Sequence, residues 1–194
     1  MKQRIIDCTL GQIGEYGLRN LTMDAVAAEM HISKRTLYIH FASKDILLEA
    51  CISEWLLRKR LLVTTGGNMI DELCALYDGI RSVDIPRVMR FCRDLRQCSI
   101  PAYRFFLGRL FDYADTCGTW AERDAQTGYL RRNVRRQTAS AVVADFLVRL
   151  CGSGCEHMLV RSYMLSPEIL IVFTRGLCTL KGCAYLDQRL KSLA

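Results

Sequence analysis

Proline is scarce in this chain of 194 residues, which contains only three. Strict alternation of β-branched and polar residues, the period of a half-buried strand, is scarce as well. Leucine, alanine, arginine and methionine recur instead at spacings of three and four residues, which is the period of an α-helix. The sequence therefore predicts an all-α fold and argues against a sheet protein.

The motifs of common enzyme classes are also missing. The sequence has no glycine-rich phosphate loop, no nucleophile elbow and no carboxylate pair. Only three histidines occur, and two of them, His31 and His40, fall in one short segment. We expect a protein that is not an enzyme and that has no cofactor.

Long apolar runs are absent too, although hydrophobic residues make up 51% of the chain. The longest run, Ile169 to Phe173, is far shorter than the ~20 residues that cross a bilayer. The first residues carry charges where a signal peptide has its apolar stretch. We expect a soluble, cytoplasmic protein with no membrane partner and with enough apolar residues for a sizeable core.

Cysteine is abundant, because ten occur, but no C-x-x-C pair does. In a reducing compartment scattered cysteines are mostly small core residues, so we predict no metal site. The densest group is C-G-S-G-C-E-H, and on an unbroken helix its two cysteines, Cys151 and Cys155, share a face. His157 would then point nearly the opposite way. A thiol- or metal-responsive sensor is therefore the alternative function, not the main one.

The 27 basic residues outnumber the 20 acidic ones, and the formal net charge of +7 favours a polyanionic partner. One segment has the pattern of a DNA-reading unit: TMDAVAAEMHISKRTLYIHFASKD, Thr22 to Asp45. A short apolar helix over about 22–30 is followed by a tight turn and by a second helix over about 33–39. This order predicts a helix-turn-helix, and a small helical hairpin with a solvated polar face is the alternative.

The second of these helices begins with four polar residues, S-K-R-T, starting at Ser33. A recognition helix inserts its N-terminal residues into the major groove, where Arg and Lys can pair with guanine acceptors. Phenol, imidazole and ammonium groups follow at Tyr38, His40 and Lys44, where they can hold phosphates. The residue types suit DNA reading, and a helical hairpin with a solvated polar face remains the alternative at this point.

The turn at Gly17, the segment Leu21-Thr22-Met23 and the run T-L-Y-x-H-F-x-S-K-D from Thr36 to Asp45 form a specific combination. On these features Leu10 to Glu49 resembles the N-terminal domain of the TetR family of transcriptional regulators. The resemblance implies a dimeric, ligand-responsive DNA binder, usually a repressor. It implies about nine helices, with a three-helix DNA-binding domain at residues 1–47 and a larger effector-binding and dimerisation domain at 48–194.

Carried onto this chain, the resemblance assigns the start of the recognition helix to base edges and the flanking residues to the DNA backbone. A dimer would place two such helices one turn of DNA apart, ~34 Å, on an inverted-repeat operator. The family usually has glycine where this chain has His31, so we expect His31 at positive φ with a modest stability cost. The predicted DNA-binding residues are Thr22, Ser33, Lys34, Arg35, Thr36, Tyr38, His40 and Lys44.

Two apolar stripes near the end of the chain predict the homodimer interface. One lies on a helix from about Thr138 to Met158, and the other on a helix from Ser166 to about Leu190. Two such helices from each subunit could form a four-helix interface, although both stripes could also be core within one subunit. The predicted interface residues are Val142, Val143, Phe146, Leu147, Leu150, Val172, Phe173, Gly176, Leu177 and Leu180.

The small-molecule effector has no motif of its own. Aromatic side chains between helices could line a cavity, and ordinary core packing is the alternative for each of them. No carboxylate or histidine cluster marks a ligand, so the identity of the effector is not predicted. The predicted ligand-binding residues are Tyr77, Phe91, Tyr103, Phe106, Phe111 and Trp120.

Overall fold

A computed structural model describes residues 1–62, 64–151 and 166–193. Within these ranges the chain forms ten α-helices and one short 3-10 helix, so the all-α prediction is confirmed and the helix count is one higher than expected. The elements are α1 (Lys2–Tyr16), the 3-10 helix (Leu18–Asn20), α2 (Met23–Glu29), α3 (Lys34–His40), α4 (Lys44–Arg58), α5 (Met69–Arg81), α6 (Ile85–Cys98), α7 (Ile100–Thr127), α8 (Arg136–Leu150), α9 (Glu168–Leu177) and α10 (Leu180–Lys191).

Helix starts follow the capping residues that the sequence offers. The side chains of Thr22 and Ser43 each accept a hydrogen bond from the backbone amide three residues later, at 3.0 and 3.2 Å. Asp84 and Ser99 do the same for α6 and α7, each followed by a proline in the first turn. A side-chain oxygen at this position satisfies an amide that has no partner inside the helix. These local bonds explain why the starts could be read from the sequence.

The first four helices build a small core around the helix-turn-helix. α1 packs on α2 and α4, and α2 packs on α3. Their buried side chains are almost fully removed from solvent, at 1% exposure or less for Ile5, Leu18, Val26, Leu37 and Leu47. Burial of this kind contributes about 1.5–3 kcal/mol for each large aliphatic side chain. The unit is therefore held mainly by its own apolar residues.

α7 is the longest helix, with 28 residues, which corresponds to a length of about 42 Å. It runs alongside α8, and Gly118 lets the two backbones come close: a Cβ at this position would overlap Ser140 Oγ and lie 2.7 Å from the carbonyl oxygen of Arg136. The helix passes through Gly118 without ending and stops at Gly128, whose φ is 81°.

α4 ends at Arg58, because Arg60 and Leu62 both have positive φ, at 52° and 57°. Two buried carboxylates organise the connection from α4 to α5. Glu72 Oε1 accepts bonds from the Thr65 amide at 2.6 Å and from its hydroxyl at 2.7 Å. Asp124 Oδ2 accepts the Met69 amide at 2.7 Å. The start of α5 is thereby tied to α7.

The prediction of a single helix from Ser166 to about Leu190 is wrong, because this segment is divided into α9 and α10 at Cys178 and Thr179. The Arg131 amide donates to Leu177 O at 2.9 Å, and the Thr179 amide donates to Tyr129 O at 3.0 Å. These bonds to a neighbouring segment replace the bonds of a continuous helix.

The helix predicted over Thr138 to Met158 is described as α8 up to Leu150. Beyond Cys151, its predicted end lies outside the described residues, as do Cys155 and His157. Of the segment C-G-S-G-C-E-H, the structure therefore describes only Cys151.

Candidate nucleic-acid interface

The N-terminal end of α3 is polar and exposed, and an apolar residue on the opposite side of the helix is buried. Ser33, Lys34 and Arg35 are exposed, whereas Leu37, on the opposite side, is fully buried. Ser33 Oγ accepts the Thr36 amide at 3.0 Å and lies 2.8 Å from Thr36 Oγ1. The cap fixes the first turn, so the exposed side chains project from a defined backbone.

Lys34 and Arg35 are neighbours with different surroundings. Lys34 Nζ lies 2.8 Å from Asp24 Oδ2 on α2, and this hydrogen bond raises the pKa of Lys34. Within the described residues no hydrogen bond or ion pair engages Arg35. Its guanidinium therefore presents all five donors to a partner, and a bidentate pair with guanine O6 and N7 is the base contact that suits it.

The flanking residues lie at the starts of α2 and α4 and in the second half of α3. Thr22 is exposed at the start of α2, Tyr38 is 47% exposed, and His40 is half-buried in the last turn of α3. Lys44 Nζ donates to Leu21 O at 2.5 Å, which ties the start of α4 to the residue before Thr22. The predicted DNA-binding residues are thus gathered at the starts of α2 and α4 and along α3, and their contacts with DNA stay predictions.

The turn between α2 and α3 has the conformation expected from the sequence, because His31 has a φ of 52°. The Ile32 amide donates to Ala27 O and the His31 amide to Ala28 O, both at 3.0 Å. This pair of bonds is a Schellman motif, in which the residue at positive φ is usually glycine. His31 therefore sets the angle between the two helices at some cost in backbone strain.

The predicted ligand residues do not gather around a described cavity. A surface cavity of about 560 Å³ lies between α1 and α2, lined by residues that include Tyr16, Leu21 and His31. Another, of about 750 Å³, lies near Glu122 and Arg135. Neither is lined by any of the six aromatic residues. Phe106 is 2% exposed and Phe111 is 51% exposed. The other four are half-buried: Tyr77, Phe91, Tyr103 and Trp120.

The predicted interface residues divide into two groups. Val143, Leu147 and Leu150 are 1%, 3% and 7% exposed within the single chain, so they have almost no further area to bury against a partner. Leu180 lies beyond the break, on α10, and is 92% exposed. The remaining predicted residues keep at least part of their surface: Val142, Phe146, Val172, Phe173, Gly176 and Leu177.

α9 carries an exposed apolar stripe on the helix for which the sequence predicted one. Ile169 is 37% exposed and Val172 is 72% exposed, and Phe173 and Gly176 continue the same side of the helix. The spacing i, i+3, i+4 and i+7 defines one face of a helix. We call these four residues the α9 stripe.

The described cysteines are mostly buried, unreactive thiols. Burial raises the pKa of Cys51, Cys117 and Cys178 to about 12 and that of Cys74 to about 11. A neutral thiol is a poor nucleophile and a poor metal ligand. Across the part of the chain that the structure describes, no three His, Cys, Asp or Glu side chains are placed to hold a metal ion.

None of the helices in the described ranges combines the length and the apolar character needed to cross a membrane.

Comparison with known proteins gives a family for the N-terminal unit. Residues 5–51 match the family model of bacterial regulatory proteins, tetR family. Among curated proteins none matches the chain.

Solved structures with a similar fold cover most of the chain at low identity. A TetR-family transcriptional regulator from Marinobacter aquaeolei VT8 is 19% identical, covers 98% of both chains and has a TM-score of 0.57. The TetR family protein CprB from S. coelicolor A3(2) is 15% identical, covers 99% of this chain and 97% of its own, and has a TM-score of 0.58.

A third structure holds both a small molecule and DNA. AibR in complex with isovaleryl coenzyme A and operator DNA is 16% identical, covers 88% of this chain and 96% of its own, and has a TM-score of 0.51. At these identities the structures show a shared fold. Residues 5–51 therefore form the N-terminal domain of the tetR family of bacterial regulatory proteins, and the chain has the fold of TetR-family transcriptional regulators.

Proposed function

We propose that this protein regulates transcription by binding, as a homodimer, an inverted-repeat DNA operator. The observation that carries the proposal is the leading end of α3. A capped first turn exposes Ser33, Lys34 and the unpaired Arg35 above the buried Leu37. A short helix built in this way suits insertion into the major groove.

Each predicted DNA-binding residue receives a role from its position. The residues at the start of α3, from Ser33 to Thr36, face base edges, and Ser33 and Thr36 also stabilise the helix start through their mutual contact. Thr22, Tyr38, His40 and Lys44 flank α3 and hold backbone phosphates, which fixes the register of the protein on the duplex.

A small-molecule effector would act through α4. This helix begins beside α3 and packs on α7 further along its length, so it joins the DNA-reading unit to the larger one. We place the boundary between the two units at residue 47. A ligand that favours one position of α4 shifts the spacing of the two recognition helices and releases the operator by population shift. AibR, whose structure contains isovaleryl coenzyme A together with operator DNA, supports by analogy of fold the presence of both a ligand site and a DNA-binding surface in this protein.

The effector site and the dimer interface are proposed in the larger unit. Half-buried aromatic residues on α5, α6 and α7 supply apolar surface for a ligand, led by Tyr77, Phe91 and Tyr103. The α9 stripe supplies exposed apolar surface for a second copy of the chain. We propose a repressor, because that is the usual role in the family that this sequence resembles.

Selection from random duplex DNA with the purified protein tests the proposal. We expect an enriched inverted repeat whose half-sites are one helical turn apart, ~34 Å. A variant with Lys34 and Arg35 changed to alanine should enrich this repeat more weakly and with a relaxed base preference in each half-site. The matched control changes Arg132 and Arg135, which lie in the segment beyond the far end of α7, and should enrich the same repeat. Failure of the unchanged protein to enrich any sequence would contradict operator recognition.

A further inference from the structure

The positive charge of this protein lies outside residues 1–51, the segment that ends with the tetR family match. Residues 1–51 contain six basic and six acidic side chains and have no net formal charge. The remaining residues contain the other 21 basic and 14 acidic side chains, and hence the whole net charge of +7. Neutralisation of phosphates supplies much of the affinity of DNA-binding proteins. Because residues 1–51 carry no net charge, a basic surface elsewhere in the chain can add to that affinity.

α6 carries such a surface next to the reading unit. Arg90, Arg93 and Arg96 recur at every third position and are all exposed, whereas Val88 and Leu95 are buried on the other side of the helix. Residues three apart are neighbours on a helix surface. In the described ranges no hydrogen bond or ion pair occupies these three guanidinium groups. We call them the α6 arginine stripe.

Polar contacts fasten α6 to the N-terminal unit. Arg87 Nη2 donates to Gly14 O at 2.7 Å, at the end of α1. Arg19 Nε lies 2.8 Å from Asp94 Oδ1, and Arg19 Nη2 donates to Gln97 Oε1 at 2.6 Å. Arg19 stands three residues before Thr22, one of the proposed phosphate contacts. The helix is thus held beside the segment that leads to the DNA surface.

The C-terminal end of α6 lies level with the first turn of α4. Ser99, directly after α6, donates from Oγ to Asp45 Oδ1 at 2.5 Å. Asp45 follows Lys44, another proposed phosphate contact, and Lys44 itself reaches back to Leu21 O at 2.5 Å. This chain of contacts brings the end of the α6 arginine stripe near the proposed backbone-binding residues.

We propose that the α6 arginine stripe is a second DNA-binding surface, which holds phosphates of the same duplex outside the base pairs that α3 reads. The inference rests on the proposed function of the helix-turn-helix. The planar guanidinium fork binds phosphate oxygens bidentately and remains charged at every physiological pH. Such contacts add affinity and fix orientation without reading sequence.

Salt titration of operator binding tests this surface. Each neutralised phosphate steepens the dependence of log K on log salt by about 0.9, so Arg93→Gln/Arg96→Gln should flatten the slope by up to about 1.8 per protomer. The base preference of the variant should stay unchanged. Arg93→Lys/Arg96→Lys keeps both charges and should keep most of the slope.

The control variant Arg132→Gln/Arg135→Gln loses the same charge beyond the opposite end of α7. With 28 residues in α7, that end lies about 42 Å from the α6–α7 junction, several times the ~8 Å Debye length at physiological salt. The control should keep the slope of the unchanged protein. Equal flattening in both double variants would assign the effect to net charge and overturn the proposal.

An unchanged slope in Arg93→Gln/Arg96→Gln would also overturn it, while the operator binding that remained would leave the helix-turn-helix assignment intact. If the unchanged protein selects no operator, the proposed function fails first. Unfolding measured on the same variants separates a lost contact from a lost fold, because Arg96 also stabilises the last turn of α6 through the helix dipole.

Discussion

Arg35 has no partner within the described residues and can pair with a base, whereas Lys34 beside it forms an ion pair with Asp24. We predict that Arg35→Ala relaxes the preference at one position of each half-site, with a loss of about 1–3 kcal/mol of discrimination there. Lys34→Ala should have a smaller effect, because its ammonium already has a partner at 2.8 Å. Competition binding against single-base variants of the half-site measures both. A uniform loss across all sequences in Arg35→Ala would mean that this residue contacts phosphate.

His31 illustrates strain at a single residue. An L-residue in the left-handed region costs about 1–2 kcal/mol, whereas glycine avoids this cost but loses more conformational freedom on folding, by about 0.5–1 kcal/mol. With its φ of 52°, His31→Gly should therefore gain roughly 0.5–1 kcal/mol of stability in chemical denaturation.

His40→Gly, in the last turn of α3, is the matched change at a helical position and should cost about 1 kcal/mol. A clear loss of stability in His31→Gly would show that the imidazole has another structural role.

At the scale of helices, starts were easier to predict than breaks. Thr22, Ser43, Asp84 and Ser99 cap helices through bonds that span three residues, so the information is local. The break at Thr179 depends on bonds to Tyr129 and Arg131, about fifty residues earlier in the chain. Thr179 is itself a good capping residue, but the apolar pattern runs through it without interruption. Periodicity alone could not show that a distant segment occupies this place.

Gly182 marks the close contact at the break. A Cβ at this position would overlap the carbonyl oxygen of Tyr129 and lie 3.0 Å from Cys178 Cβ. We expect Gly182→Ala to cost about 1–3 kcal/mol in the free energy of unfolding, because backbone must move to admit the methyl group. Gly108→Ala on α7, where no atom lies within 4 Å of the added Cβ, should gain up to about 1 kcal/mol. Equal effects of the two changes would argue against the tight contact.

Asp124 makes the connection between α5 and α7 sensitive to pH. Burial raises the pKa of Asp124, although the bond from the Met69 amide and the nearby Arg123 act in the opposite direction. The folded state therefore binds the proton more tightly than the unfolded state does. The contribution of this group to stability is largest below the unfolded pKa of about 3.9 and is lost as the pH rises through the folded value.

We predict that Asp124→Asn gains stability relative to the unchanged protein at pH 7 and that this gain shrinks towards pH 4. Asp124→Ala should instead cost about 1–3 kcal/mol at both values, because the Met69 amide loses its acceptor. Denaturant unfolding at the two pH values measures both variants. A gain for Asp124→Asn that is equal at both pH values would mean that burial does not perturb the carboxyl group.

At the scale of the whole molecule, the fold and the helix-turn-helix could be predicted from the sequence more readily than the surfaces of the larger unit. An apolar stripe at helical spacing looks the same whether it faces the core of its own chain or a second copy. Val143 and Leu147 turned out to be core residues packed inside the subunit, whereas Val172 is open to solvent. Whether a stripe is buried depends on which face of its helix packs against the rest of the subunit, as α8 packs against α7. The local sequence does not determine that face.

The α9 stripe makes the dimer testable by one change. Val172 and Ile39 are both 72% exposed, and they lie on different units, on α9 and on the proposed recognition helix α3. Val172→Asp should produce monomers in size-exclusion chromatography with light scattering, because an ionised carboxylate cannot be buried in an apolar interface without a partner. Ile39→Asp places the same charge on an equally exposed residue and should stay dimeric.

The two variants should also separate dimerisation from DNA contact. Loss of the dimer removes the second half-site contact, whose effective concentration adds a factor of about 10²–10⁴ in overall affinity, so Val172→Asp should bind a full operator hardly better than a single half-site. Ile39→Asp should keep the ratio of full-site to half-site affinity while it weakens both, because its carboxylate lies on the recognition helix near the phosphates. A dimeric Val172→Asp that still prefers the full operator would place the interface away from α9. It would leave α8, through the half-buried Val142 and Phe146, as the surface to change next.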